Sequence, residues 1–412
     1  MRWHRDVTAG QWKAFFASFL GWVLDGFDYT ILLLLLGDIQ RSFSLTNAQL
    51  GLLGTGTLIF RVVGGIAAGT AADRWGRKGP LMFSILWYSL FAFLSGFSTS
   101  FRMLLALRAL FGVGMGGVWA AGVPLTIEHW PAHLRGVASG LLQGGFSVGF
   151  VLSALVYQLA YPLVSQSGLG WRVMLWIGVL PALLVVWIVS AVRESPVWLQ
   201  RQRELRGRHQ RDTVSLARLF TRDLLPATIQ TSLVMGAWAV SYQAITFWYP
   251  TYLEALHRER LPFLLALNVG GIAGAAAWGR VSETVLGRRG AFTLAMAVGV
   301  AATPLYLFAT SDVPLWIGAL VIGGFAAGSL GIMPGYLTER FPTAARAAGA
   351  GFAYHVGTGL GAFTPYVVGA LRDRGVPLAS VMGVCIMSGG LLMIVFVWLG
   401  PETRGRDFSR SA

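Results

Sequence analysis

Residues 128–140 read EHWPAHLRGVASG, and residues 339–351 read ERFPTAARAAGAG. Glu, Pro, Arg and the closing Gly fall in register at an offset of 211 residues, and the same offset carries GRKG (76–79) onto GRRG (287–290). One such match is within reach of chance. Two at a single offset, each beside apolar segments, indicate a duplicated unit. Between the copies lies 193–225, where hydropathy drops and arginine accumulates. The division expected is an N-terminal bundle over 1–192, a basic cytoplasmic linker over 193–225 and a C-terminal bundle over 226–412.

Composition says what each unit is made of. Of 412 residues, 55% are hydrophobic and 12% charged, and mean hydropathy is +0.62. That is too little charge to cover a soluble surface. A bilayer-crossing helix takes roughly 20 mostly apolar residues. About twelve such segments can be placed, near 13–37, 47–71, 79–98, 103–125, 137–161 and 171–192, then 226–252, 262–281, 291–310, 314–336, 344–370 and 378–399. The expected fold is all-α and integral to the membrane, with twelve transmembrane helices in two pseudo-symmetric six-helix bundles. The first segment is too long and too acidic for a signal peptide and lacks an evident cleavage site, so it should remain as the first helix. A single cysteine, Cys385, leaves no disulfide within the chain and no thiol cluster for a metal.

The net charge of +14 would suit nucleic acid were the basic residues not distributed as they are. With the N-terminus inside, 23 of the 32 Lys and Arg fall on inner segments, seven on outer loops, and Arg61 and Arg108 within spans. This is the positive-inside asymmetry, and it predicts an inner (plasma) membrane protein with both termini cytoplasmic. The partners expected are lipids rather than nucleic acid. The stretch 200–222 is polar and basic, and a short amphipathic helix at the inner surface is expected there.

Two halves facing each other suit a carrier whose substrate site lies between the repeats near the bilayer midplane. No TVGYG filter, HExxH, nucleophile or Walker motif supports a channel or a membrane enzyme. Charge inside the spans is then the functional signal. The segment SFLGWVLDGFDYTILLLLL (18–36) holds Asp25 and Asp28, and Arg61 and Arg108 lie in the second and fourth spans. Each ionisable group costs about 2.5–3.5 kcal/mol near the centre of an inserted helix, so all four should face the protein interior. Two acids and two bases are formally neutral together and can ion-pair in the empty carrier. An incoming carboxylate that takes over an arginine, which holds it bidentately, would release an aspartate to bind a proton. The same four residues also fit a structural set joining helices one, two and four. His355 is a candidate proton relay or a neutral hydrogen-bonding residue. SYQAITFWYP (241–250) offers Tyr242 and Gln243 as lining, with Trp248 expected as an interfacial anchor. Gln143 has a similar claim, and Gly112, Gly114, Gly116 and Gly117 read as close helix packing.

GTAADRWGRKGP (69–80), RALFGVGMGG (108–117), RESPVWL (193–199) and PETRG (401–405) together resemble the motif set of the major facilitator superfamily. QWKAFFASFLGWVLDGFDYT (11–30), with EHWPAHLRGVASG and GFSVGF (145–150), is similar to the sialate:proton symporter branch, which contains sialic acid and lactate-type monocarboxylate permeases. Aromatic-acid:proton symporters are next nearest. Gly140, Gly144, Gly145 and Gly149 are similar to the fifth-helix pattern of drug:proton antiporters, but its Gly-Pro pair is missing. The chain departs from the branch at Val118, where an acidic residue often stands. It departs again in YHVGTG (354–359), where His355 and Thr358 replace Asn and Arg and Tyr354 joins the substrate-contact candidates.

The resemblance implies a cytoplasmic gate built from Asp73, Arg74, Arg77, Glu128, Arg135, Glu194, Arg288, Glu339, Arg346 and Glu402, with Glu128 meeting Arg135 and Glu339 meeting Arg346. In water each exposed pair is worth about 0–1 kcal/mol, weak enough to open. Proton-coupled uptake of a small organic anion by a functional monomer is expected, with the proton as coupling ion and no cofactor. Carriage of a sugar, polyol or aromatic acid is the alternative, and a non-transporting nutrient sensor a further one.

Overall fold

The structure is a computed structural model that describes residues 6–131, 134–207, 216–342 and 345–404. Regular structure among these residues is entirely helical. The first half runs α1 (Ala9–Leu34) into the short α2 (Leu36–Phe43), then α3 (Asn47–Trp75), α4 (Lys78–Ser95), α5 (Phe101–His129) and α6 (Arg135–Val164), and ends in a rod broken into α7 (Gly170–Trp176) and α8 (Ala182–Ala191). A linker helix, α9 (Pro196–Gly207), follows. The second half comprises α10 (Leu225–Thr246) with α11 (Tyr249–Ala255), α12 (Arg260–Val281), α13 (Gly287–Leu307), α14 (Asp312–Ile322) leading to α15 (Met333–Glu339), α16 (Arg346–Gly361) with α17 (Thr364–Asp373), and α18 (Leu378–Trp398).

Nine stretches among the described residues are individually long and apolar enough to cross a membrane. The remaining rods are α4, α10–α11 and α16–α17. In α4 and α10, Ser, Thr, Gln, Tyr and Trp dilute the hydropathy, and the other break is made by proline. Pro250 and Pro365 each sit in the first turn of the helix after a break, where a missing N–H costs nothing. Thr8 and Thr46 start α1 and α3 with reciprocal capping boxes completed by Gln11 and Gln49.

Glycine sets the spacing inside the first half. A Cβ at Gly112 or Gly116 would run into the backbone carbonyls of Thr57 and Arg61, so α5 lies directly on α3. Gly114 and Gly117 face Tyr88 and Ser84 of α4 in the same way. The backbone of Arg61 is thereby held against a neighbouring helix.

The two halves meet chiefly through α3 against α16 and α17, and α6 against α12. Their polar contacts gather at the face opposite the linker. Asp373 accepts from the amides of Asn47 and Ala48 (2.9 and 2.7 Å) and from Asn47 Nδ2 (2.7 Å). A carboxylate of one half thus caps the N-terminus of α3 in the other. Arg260 donates to the Leu34 carbonyl (3.2 Å) and to Tyr157 OH (2.7 Å), and its guanidinium lies 4.7 Å from the Tyr157 ring centroid. On the linker side Gly140 and Gly351, related by the repeat, both face open space.

Trp248 is not an interfacial anchor. It is fully buried at the α10–α11 break and donates Nε1–H to the Pro365 carbonyl (3.0 Å), because the kink turns it inward onto α17. Of the segment expected as an amphipathic helix over 200–222, only 200–207 belong to α9, which Trp198 pins to α3 by donating to the Asp73 carbonyl (2.8 Å); Leu216–Phe220 form a short 3-10 helix, and residues 208–215 lie outside the described residues.

Burial works against the charge of Asp373, yet the Ala48 and Asn47 donors hold its carboxyl below the usual carboxylate range. Its contribution to the sealed face is therefore complete above about pH 4, the ordinary value, and is lost as pH falls through the lowered one. Spin labels at Thr99→Cys and Val376→Cys, with Cys385→Ser, should report a longer, broader distance in Asp373→Asn, and the same change in the parent protein on strong acidification.

Candidate functional site

A cavity with about 660 Å³ of unfilled space lies between the halves, lined from α1, α3, α5 and α6 on one side and α10, α12 and α16 on the other. Of the candidates raised from the sequence, Arg61, Gln143, Tyr242, Gln243 and Tyr354 line it. Trp22, Tyr29, Phe146 and Trp238 also line it and were missed. Their signal was spacing: Trp22 and Tyr29 are seven residues apart on α1, and Trp238 and Tyr242 four apart on α10, each pair sharing a helix face.

Arg61 is the one charged residue among the described residues lining the cavity. Nη2 donates to Tyr354 OH at 3.3 Å, near the limit of a hydrogen bond, and buried Nε has no acceptor. The guanidinium sits 5.2 Å from the Trp22 ring centroid and 5.7 Å from that of Tyr354. These π-faces hold a cation without consuming its hydrogen bonds. Gln143 Oε1 accepts from Trp119 Nε1 (3.4 Å), and its Nε2 is left free. Tyr29 OH donates to Gln243 Oε1 (3.2 Å), and Trp119 stacks on Tyr354 at 3.9 Å, two contacts that join the halves through the site.

Asp25, Asp28 and Arg108 do not line the cavity, and the expected ion-paired quartet does not form. All three are buried inside the first bundle. Arg108 donates to Ser95 Oγ (3.0 Å) and the Ala92 carbonyl (3.3 Å) of α4 and lies over the Phe111 ring. Asp28 points at Gly178, whose added Cβ would come within 2.9 Å of its Oδ1. None of the four carboxylate oxygens of Asp25 and Asp28 has a hydrogen-bond partner. The charge of Arg61 acts on Asp25 and that of Arg108 on Asp28 through space. The physical reason is azimuth: at about 100° per residue, Asp25 and Asp28 stand about 60° and 120° round α1 from Trp22, which faces the cavity. His355 lies beside the site, edge-on to Trp119 and Tyr354. Neither of its ring nitrogens has a partner, so the expected hydrogen bond to a neighbouring helix is not made; its ring fills the space above Gly65 of α3 instead.

The gate residues form two matching networks. Arg77 holds Glu128 with Nε and Nη2 (3.3 and 3.0 Å) and Asp73 with Nη1 (2.5 Å). Arg288 holds Glu339 with Nε and Nη2 (3.1 and 2.7 Å), and Glu283 as well. Glu194 accepts from the Arg77 and Lys78 amides, and Glu402 from those of Arg288 and Arg289. Ser195 and Thr403 hydroxyls complete the pattern on Glu128 and Glu339. Burial opposes the charge of Glu402, but this ring of backbone donors pulls its carboxyl below the usual range. Each network lies within one half, so what it ties together is a bundle, not the two bundles across the opening. The side chains of Arg135 and Arg346 lie outside the described residues. Arg74 lies over the Trp75 ring.

A Cβ on Gly65 would stand only 2.3–2.5 Å from atoms of the His355 ring. Gly65→Ala should therefore cost about 1–3 kcal/mol as overpacking. In a double-mutant cycle read by thermal unfolding, His355→Ala should remove most of that cost.

Comparison with known proteins agrees with this geometry. The family model described as Major Facilitator Superfamily matches residues 18–365. The chain is 33% identical to the "Probable 4-methylmuconolactone transporter" of Cupriavidus pinatubonensis (98% of this chain, 93% of that one). It is 30% identical to the sialic acid transporter NanX of Escherichia coli strain K12 (88% of each). Among solved structures it is similar to a D-xylose-proton symporter, with a TM-score of 0.75 at 20% identity over 96% of this chain and 99% of that one.

Proposed function

Because the chain belongs to the Major Facilitator Superfamily, whose members here are transporters and not enzymes, we propose that it takes up a small organic anion together with protons by alternating access. The observation that carries this reading is the cavity's single cation: Arg61 keeps a donor free and has no carboxylate beside it in the lining. A buried guanidinium in that state is matched by an incoming carboxylate, whose two oxygens take its planar fork. The two relatives named above carry a lactone and an acid by name, which supports an oxygen-rich substrate.

Coupling runs from Arg61 to the acids behind it. An unpaired carboxylate inside lipid-embedded protein needs either a proton or a nearby positive charge. Substrate binding neutralises Arg61, and the field it exerts on Asp25 falls. Asp25 then takes a proton, and Asp28 and Arg108 extend the same balance one turn deeper. The effect is reciprocal, so proton and anion favour each other's binding. One proton with a monovalent anion is electroneutral, driven by about 1.4 kcal/mol per pH unit; a second proton adds about 2.3 kcal/mol per 100 mV. The basic residues crowded on the linker face support placing it in the cytoplasm of a plasma (inner) membrane, with the described state sealed to the outside. The chain is proposed to work as a monomer within the lipid, with no cofactor besides the proton.

In reconstituted vesicles acidified outside, Asp25→Asn and Asp28→Asn should abolish accumulation against a gradient while retaining exchange. Arg61→Lys should raise the half-saturating concentration by at least about tenfold, since a lysine loses the bidentate grip. Accumulation that survives both aspartate changes would overturn the coupling scheme.

A further inference from the structure

The cavity's hydrogen-bonding inventory is lopsided. Arg61 Nε and Gln143 Nε2 are buried donors without acceptors, on side chains that are each 5% exposed. The amide oxygens nearby are already engaged, Gln143 Oε1 by Trp119 and Gln243 Oε1 by Tyr29. No Asp or Glu is among the lining residues. A ligand entering here finds unpaired donors and no carboxylate, and the acceptors left to it are the hydroxyls of Tyr29, Ser147, Tyr242, Tyr354 and Thr358. Each hydroxyl or amide N–H it brings must then find a partner or stay buried and unpaired, at a cost.

The walls are equally selective. Trp22, Tyr29 and Phe146 enter from one half and Trp238, Tyr242 and Tyr354 from the other. Trp238 and Tyr242 are stacked face to face at 4.6 Å and 16°, an ordered aromatic pair on the C-terminal half. Trp22 and Phe146 lie 5.1 Å apart on the opposite half. Flat π-faces favour a flat, conjugated guest over a saturated ring of the same size.

We infer that the anion is a planar, conjugated carboxylate poor in hydrogen-bond donors, its carboxylate on Arg61 and Gln143 and its body stacked on the aromatic walls. This rests on the reading of the cavity as an anion site and narrows it. Polyhydroxylated acids bring too many donors, and acids of three carbons leave the rings uncovered. The inference separates this chain from the substrate in the name of its Escherichia coli relative.

Benzoate and cyclohexanecarboxylate test it, because they share the carboxylate and the six-membered ring and differ in flatness. Saturable uptake above protein-free vesicles is measured for both, with N-acetylneuraminate and xylose as the donor-rich acid and the neutral sugar. Benzoate should exceed cyclohexanecarboxylate by about tenfold in kcat/KM, and N-acetylneuraminate should not be taken up. Tyr242→Leu should erase the preference, and Tyr242→Phe should keep it. Equal handling of the two ring acids, or uptake of N-acetylneuraminate in preference to benzoate, overturns the planar-acid inference while leaving an anion carrier. Uptake of xylose with no acid uptake overturns the anion reading itself.

Discussion

A positive charge buried without a matching negative one governs this molecule. Arg61 sits at the wall of a cavity in an otherwise apolar bundle, where an ionised group is expensive unless something answers it. The protein answers with two aromatic faces and one long hydrogen bond, and leaves the donors of the fork available. Such a site is stable enough to exist empty and incomplete enough to bind. Asp25 and Asp28 stand off the cavity wall and have no hydrogen-bond partner of their own; in the proposed scheme they sense occupancy of the cavity through the field of Arg61.

The rest of the architecture keeps that arrangement rigid within each half and loose between halves. Glycines on α5 bring α3 close enough that Arg61 cannot drift. The twin Arg–Glu networks fasten the loops of each bundle with bidentate, half-buried contacts, which are stronger than exposed pairs. Among the described residues the polar links between the halves include a helix cap by Asp373, the grip of Arg260, and at the site a tyrosine–glutamine contact and the long Arg61–Tyr354 bond. A carrier that rocks needs this division: many bonds inside each moving part, few across the seam.

Much of this was legible in the sequence, and the boundary of legibility has a physical cause. The repeat at 128 and 339 reported two like bundles because duplicated loops keep their charged residues. Hydropathy located the helices because a bilayer demands length and apolarity. Azimuth was not readable. Asp25 and Trp22 differ by three residues and about 60°, enough to put one in the cavity wall and the other behind it. Long-range partners were not readable either: the side chain of Arg135 lies outside the described residues, and the arginine described on Glu128 is Arg77, 51 residues away. Loops fold back in ways that local spacing does not encode. Trp248 was read as an anchor because its position lies near a helix end, but Pro250 bends the chain and turns the ring into the protein.

The separation of Arg61 from Asp25 by a helix wall has a consequence for coupling. Had the acids lined the cavity, they would repel the very anion the arginine attracts, and substrate and proton sites would compete for one cation at contact distance. Set off the cavity wall on α1, the acids are kept from direct contact with the guest but remain within reach of the arginine's field, which is stronger in a medium of low dielectric constant. In the proposed scheme the guest meets an unopposed positive site, and the acids register its arrival as a loss of that field. Binding and protonation can then strengthen one another without sharing an atom.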